Sequence, residues 1–455
     1  MPARAHIILR YLILRLLIVS TFYSALALAS EQTDFLARRT SWDARTQSTD
    51  TVGRKITELA VDTPLYDAGL RVNDVILAVN DRIITGVEVW NDVTDALVAE
   101  RLTKIVYKRT NTSRQADVMF DGLGKENYAN HDVEYGSIDN DYGFRQRTIL
   151  TLPKTKAQEG ANKLPAIFFI QGLSCSSIEV LPNNSSNYRH MIKLMVENLN
   201  MAMMRVEKPG VGDSEGSCAE SDFATELAGY EHTLQKLMTD SRIDRNRIIV
   251  YGNSMGSAIA PYLVNKYQLN GVISDGTFFR SWFEHMLEIE RRIQQMQGKS
   301  ESEIGRAMNS VYIPLYYNML INKQSYANIV TDNPLYQPFN YHGQRHMYGR
   351  PMAFYHQVQD FDFAGEWSKV TVPVRIRYGE NDWIMSKSDN HMIIDVLTRE
   401  GNHDVNLVIY PKLDHWSTLH NSPEQSFNGE SGQWEDNIAL MLVDWANELN
   451  AQVNR

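Results

Sequence analysis

Residues Gly252-Asn253-Ser254-Met255-Gly256 constrain this chain more than any other stretch of it. Ahead of them runs Arg247-Ile248-Ile249-Val250-Tyr251, an apolar β-branched run that reads as a buried strand. Behind them Ser257-Ala258-Ile259-Ala260-Pro261-Tyr262-Leu263-Val264 reads as a small-residue helix lying close to that strand. Glycines on either side of the serine let strand and helix backbones approach, and they leave the hydroxyl exposed on a sharp, strained turn. Ser254 is therefore the candidate nucleophile; a simple helix N-cap is the bland alternative.

A serine hydroxyl attacks poorly until a base takes its proton and a third group orients that base. Later in the chain both partners follow apolar runs. Val374-Arg375-Ile376-Arg377-Tyr378 leads into Gly379-Glu380-Asn381-Asp382, and Leu407-Val408-Ile409-Tyr410 leads into Pro411-Lys412-Leu413-Asp414-His415-Trp416. His415 is the candidate base and Asp382 the candidate orienting acid. Asp275 is a rival acid, because it too follows an apolar strand; Asp382 as a turn residue and His415 as a cap near the last helix are the structural alternatives. Asp414, adjacent to His415, cannot easily fold back onto its neighbour's ring and reads as local structure. His285, His342, His346, His356 and His391 show no metal-ligand spacing, so no metal or other cofactor is expected.

At 455 residues the chain is too long for one small core. Its first 29 residues place Arg4, Arg10 and Arg15 in a long apolar stretch ending Ala27-Leu28-Ala29, the pattern of a secretory leader cut before Ser30; an uncleaved anchor is the alternative. A periplasmic or secreted protein is expected, with no membrane span in the mature chain. Net charge is -10 over the whole sequence and about -13 without those three arginines. An acidic chain without a basic patch offers nucleic acid nothing to hold. Cys175 and Cys218 each follow a predicted strand, and export permits a bridge between them. Such a bridge closes a loop worth roughly 4 kcal/mol in the chain-entropy picture.

Apolar runs at 166–170, 201–206, 248–251, 271–274, 374–378 and 406–410 alternate with helical patterns, and 133–138 with 144–152 reads as an opening antiparallel pair. Residues 278–365 break this rhythm as a long insertion of helical spacing, without a clear strand. They carry Trp282, Phe283, Met286, Tyr312, Tyr316, Tyr317, Met319, Tyr348 and Tyr355, which read more readily as the insertion's own core than as pocket lining. Residues 30–50 are polar and read as a linker.

The order Ser254, Asp382, His415 on successive strand ends resembles the α/β-hydrolase fold over 123–455. The resemblance implies an α/β architecture: a mostly parallel eight-stranded sheet, helices on both faces and a helical lid at about 278–365. It also implies backbone oxyanion donors at Met255 and, from Gln171-Gly172-Leu173, at Leu173, with Gln171 where the family has histidine. Lys208-Pro209-Gly210-Val211-Gly212-Asp213-Ser214 resembles the glycine loop that closes another wall of such sites. A Cys175–Cys218 bridge would pin the Leu173 loop. An elbow with serine in place of aspartate excludes dehalogenase and epoxide hydrolase chemistry.

Residues 51–122 resemble the PDZ domains of bacterial envelope proteins, through Thr63-Pro64-Leu65-Tyr66-Asp67-Ala68-Gly69-Leu70 and Asn73-Asp74-Val75-Ile76-Leu77-Ala78-Val79-Asn80. This implies a small α+β domain able to take a peptide or protein C-terminus by strand addition, or serving as a spacer. Arg54 and Lys55 stand where that family places its apolar carboxylate pocket. Together the resemblances imply an exported serine hydrolase acting on a small-molecule or acyl substrate, an ester or thioester. A serine peptidase fed by the PDZ-like domain is the alternative.

Overall fold

The structure is a computed structural model that describes residues 36–154, 163–182, 186–339, 346–347 and 349–452. The expected leader, His342 and Tyr348 lie outside those residues, as does the side chain of His346.

The buried apolar runs assemble one eight-stranded sheet. Its spatial order is Val405–Tyr410, Val374–Gly379, Gly271–Asp275, Ile243–Asn253, Leu164–Ile170, Ala202–Val206, Arg145–Pro153 and His131–Asp139. Neighbours are parallel from the first of these to Ala202–Val206, and Arg145–Pro153 then pairs antiparallel with both of its neighbours. Strands sandwiched on both faces need apolar side chains on both, and Leu164–Ile170 and Ala202–Val206 are buried at every position. One face packs on Phe223–Thr239 and Met255–Tyr267, the other on Asn187–Asn198 and Asn437–Gln452. The parallel direction brings the loops after the strands ending at Ile170, Asn253, Gly379 and Tyr410 to a single edge, where the candidate residues lie.

The insertion is helical as expected, beginning with Trp282–Met296, whose N-terminus carries a Ser281/Glu284 capping box. It also contains one short hairpin, His346–Met347 with Arg350–Pro351, which its spacing did not announce. Most of the aromatic and methionine side chains named for it are its own core: Met286, Tyr312, Tyr316, Met319 and Tyr355 are buried.

A second sheet precedes the first, in the order Ala44–Ser48, Arg54–Leu59, Val75–Val79, Leu102–Arg109, Thr112–Met119, all antiparallel, with Arg82–Ile83 also on Val75–Val79. Thr63 caps the short helix Pro64–Asp67 by accepting from the Tyr66 N–H, and Val87–Asp95 forms the second helix. One expectation needs correction here. Residues 30–50 are not simply a linker, since Ala44–Ser48 is the outer strand of this sheet and Leu36 is buried. Arg54 and Lys55, which stand where the PDZ family places its apolar carboxylate pocket, begin the strand Arg54–Leu59. Gly53, at φ +108°, turns the chain into an inner strand that is paired on both sides, and Arg54 donates to the Thr46 carbonyl while its guanidinium lies over Trp90.

The two sheets belong to one compact unit, held by charges taken from the supposed linker. Arg38 reaches Glu179 at 2.6 Å and Asp213 at 3.0 Å, Arg39 reaches Glu179 at 2.9 Å, and Arg147 contacts Asp213 at 3.1 Å and the Leu36 carbonyl at 3.0 Å. No helix among the described residues is long and apolar enough to cross a membrane.

Candidate active site

Ser254 sits at φ 55°, ψ -121°, a conformation that L side chains seldom adopt and that only surrounding structure can hold. That structure is visible. The Ser254 N–H donates to the Asp275 carbonyl at 2.9 Å, and the Ser257 hydroxyl contacts the carbonyls of Gly252 and Asp275 while accepting from the Asp275 N–H. The glycines are obligatory for a packing reason. A Cβ on Gly252 would lie 2.4 Å from the Gly256 carbonyl oxygen, and one on Gly256 would lie 2.3 Å from that of Ile170.

His415 Nε2 lies 3.0 Å from Ser254 Oγ, and His415 Nδ1 lies 2.8 Å from Asp382 Oδ2. The other oxygen of Asp382 accepts from the N–H groups of Ile384 and Met385 at 2.9 and 2.8 Å, which fixes the carboxylate's plane. Burial disfavours the charged imidazole, but the Asp382 carboxylate outweighs it, and His415 holds its proton above the ordinary histidine range. Asp275, the rival acid, is engaged elsewhere. It receives Arg377 on both oxygens at 2.7 and 2.6 Å and the Tyr251 hydroxyl at 2.7 Å. Asp414 accepts from the Trp416 and Thr418 N–H groups and the Ser426 hydroxyl, so it shapes the histidine's own loop.

Leu173 and Met255 both border the cavity beside Ser254, and neither N–H donates to another backbone group among the described residues. Gly172 is pressed against the nucleophile, where a Cβ would lie 3.0 Å from that of Ser254. The Cys175–Cys218 disulfide ties the Leu173 loop to the loop that follows Gly216, and Arg350 holds the Cys218 carbonyl at 2.7 Å.

The cavity measures about 480 Å³. One wall is apolar, from Phe278, Trp282, Ile289, Ile384, Met385 and Trp416; the other carries Ser174, Ser176, Ser177, Ser186 and Arg189. Of the nine aromatic and methionine side chains named for the insertion, Trp282 alone lines it among the described residues. His285, three positions on, was passed over as surface or insertion: it is fully buried, borders the cavity, and stacks on Phe278 at 4.8 Å. Burial, then Arg292 and His415, push its ring well below the usual range, so it is neutral. Arg189 was not singled out from sequence either. No group of three or more His, Cys, Asp and Glu is placed to hold a metal among the described residues. The arrangement is suited to moving a proton from a hydroxyl to an oriented imidazole next to an apolar pocket.

Residues 181–421, just over half of the chain, match a family model described as serine aminopeptidase, S33. A stretch of 110 residues is 28% identical to an uncharacterized membrane protein of Saccharomyces cerevisiae; it covers 23% of this chain and 38% of that protein. Similar solved structures include an esterase of Pyrococcus furiosus, at TM-score 0.43 and 10% identity over 73% of this chain and 95% of the other. A ferulic acid-bound Est1E from Butyrivibrio proteoclasticus gives 0.42 and 13% over 68% and 98%. A proline iminopeptidase of Mycobacterium smegmatis gives 0.42 and 12% over 70% and 99%. The chain has the α/β-hydrolase fold, and it belongs to the family described as serine aminopeptidase, S33.

Proposed function

We propose that the protein is an exported serine hydrolase that cleaves a carboxylic ester or thioester through an acyl-enzyme on Ser254. The observation that carries the reading is the continuous hydrogen-bond path from Ser254 through His415 to Asp382 at the floor of a largely apolar cavity. In this mechanism His415 Nε2 removes the Ser254 proton as Oγ attacks the carbonyl carbon. Asp382 orients the ring and stabilises its charge, and the N–H groups of Leu173 and Met255 receive the developing oxyanion. His415 then returns the proton to the departing alcohol or thiol. Water repeats the sequence to release the acid.

Export is supported by the Cys175–Cys218 disulfide, a bond that persists in oxidising compartments, together with the leader pattern in the sequence. A serine peptidase is the second reading, and one feature favours it. Ala44–Ser48 is an outer strand whose second edge pairs with no other strand among the described residues, in a sheet that we also read as PDZ-like, and that edge suits the addition of a peptide end.

Rapid-quench intact-mass spectrometry with an aryl ester tests the main reading. Wild type should gain the mass of one acyl group and Ser254→Ala should gain none; turnover without an acyl adduct, equal in both proteins, would overturn it.

A further inference from the structure

Among the described residues that line the cavity there is no aspartate or glutamate, and Arg189 is the one permanently charged side chain. Building on the serine-hydrolase reading, we propose that Arg189 selects substrates bearing a carboxylate or phosphate, and that an ester or thioester with such an anion is the protein's preferred substrate class.

Arg189 is the third residue of the helix Asn187–Asn198 and lines the cavity with Ser254 and His415. Its Nε donates to the Ser177 carbonyl at 2.9 Å, which sets the plane of the guanidinium while its terminal nitrogens have no bonded partner among the described residues. The nearby carboxylates are taken. Glu179 is held by Arg38, Arg39 and the Tyr135 hydroxyl, and Glu207 by the Ser177 hydroxyl and the N–H groups of Ile178 and Glu179. Burial, and then the like charge of Arg39, hold the guanidinium below its usual range, while the carboxylates of Glu207 and Glu179 pull the other way without bonding to it. A planar fork oriented by one bond and open on its other side suits bidentate capture of a carboxylate or phosphate. The same side chain also borders a neighbouring hollow of about 350 Å³ that His190 and Lys193 share.

The converse is as informative. A substrate with a free amino terminus needs a carboxylate to receive its ammonium group; here it would meet Arg189 instead, a juxtaposition that disfavours it.

The test compares kcat/KM for matched p-nitrophenyl esters whose acyl chains end in methyl, carboxylate or ammonium. A second pair places the carboxylate on the leaving phenol instead. Wild type should prefer the anionic over the neutral ester in at least one arm, with the ammonium ester last; the arm that shows the preference reveals which half of the substrate faces Arg189. Arg189→Met should reduce the anionic-to-neutral ratio by about 10- to 100-fold, chiefly through KM, and Arg189→Lys should retain part of it. On wild type alone, added salt should narrow the ratio, a readout that needs no folded variant. An unchanged ratio in Arg189→Met, or a preference for the ammonium ester, would overturn the proposal while leaving the serine-hydrolase reading intact. No hydrolysis of any ester, with Ser254 inert to fluorophosphonate, would remove both.

Discussion

Lys208, fully buried, donates from its Nζ to the carbonyl oxygen of Gly172, and that carbonyl shares a peptide group with the N–H of Leu173. In a trans peptide the two point in opposite directions, so pulling the carbonyl toward Lys208 aims the N–H the other way. Glu226 anchors the lysine at 2.9 Å and is itself paired with Arg350. Lys208 is thus a positioning residue for the proposed oxyanion donor. Lys208→Met should lower kcat by roughly 10- to 100-fold with little change in KM, somewhat less than removal of a whole oxyanion donor. Loss of thermal stability with kcat intact would assign the lysine to packing alone.

The pH profile follows from His415. Its ring must be neutral to accept a proton, and Asp382 keeps it protonated to a pH above the ordinary value of about 6.5. Activity should therefore rise with pH through a limb above that value, and Asp382→Asn should move the limb to lower pH while cutting the plateau about 10³-fold or more. The same shift affects stability in the opposite sense. A raised folded-state value stabilises fully below the unfolded histidine's pKa, and that contribution is lost as pH rises through the folded one. A limb unmoved by Asp382→Asn would contradict the assignment.

Arg38 sets the stability of the junction between the two sheets. Its guanidinium serves Glu179 and Asp213, whose side chains are 2% and 0% exposed. Arg38→Ala leaves both carboxylates short of a partner and should cost about 3 kcal/mol in denaturant unfolding. A change below about 0.5 kcal/mol would show that Arg39 and Arg147 suffice. For the same reason, removing the whole N-terminal sheet should destabilise the remaining domain rather than release it intact.

Reducing the disulfide should act on the site before it acts on the fold. The bridge secures the loop of Leu173, two residues from Cys175, while the sheet core is independently packed. Reduced protein should lose several-fold in kcat at temperatures where circular dichroism remains native. Simultaneous loss of both would mean that the bridge supports the whole domain.

The contrast between what was legible in the sequence and what was not has a physical basis. Strands such as Leu164–Ile170 announce themselves because both faces are buried, and the Ser254 elbow because glycine spacing is a local steric demand. Asp382 was separable from Asp275 only as a preference, since both follow apolar strands; the distinction lies in Arg377 and Tyr251 having taken Asp275. The stretch 30–50 was misjudged because its polar residues look solvated, whereas Arg38 meets carboxylates 141 and 175 positions away. Arg189 gave no local signal and Lys208 showed only as the first residue of a glycine loop, since their roles come from partners that only the tertiary fold brings near.

The central claim is that His415 activates Ser254. Fluorophosphonate labelling of the purified protein, with the adduct mapped by mass spectrometry, tests it most directly when Ser254→Ala and His415→Ala are run alongside. The account predicts a single adduct on Ser254 in wild type, none in Ser254→Ala, and labelling slowed by about 10³-fold or more in His415→Ala. Labelling at another residue, or at an undiminished rate without His415, would contradict it.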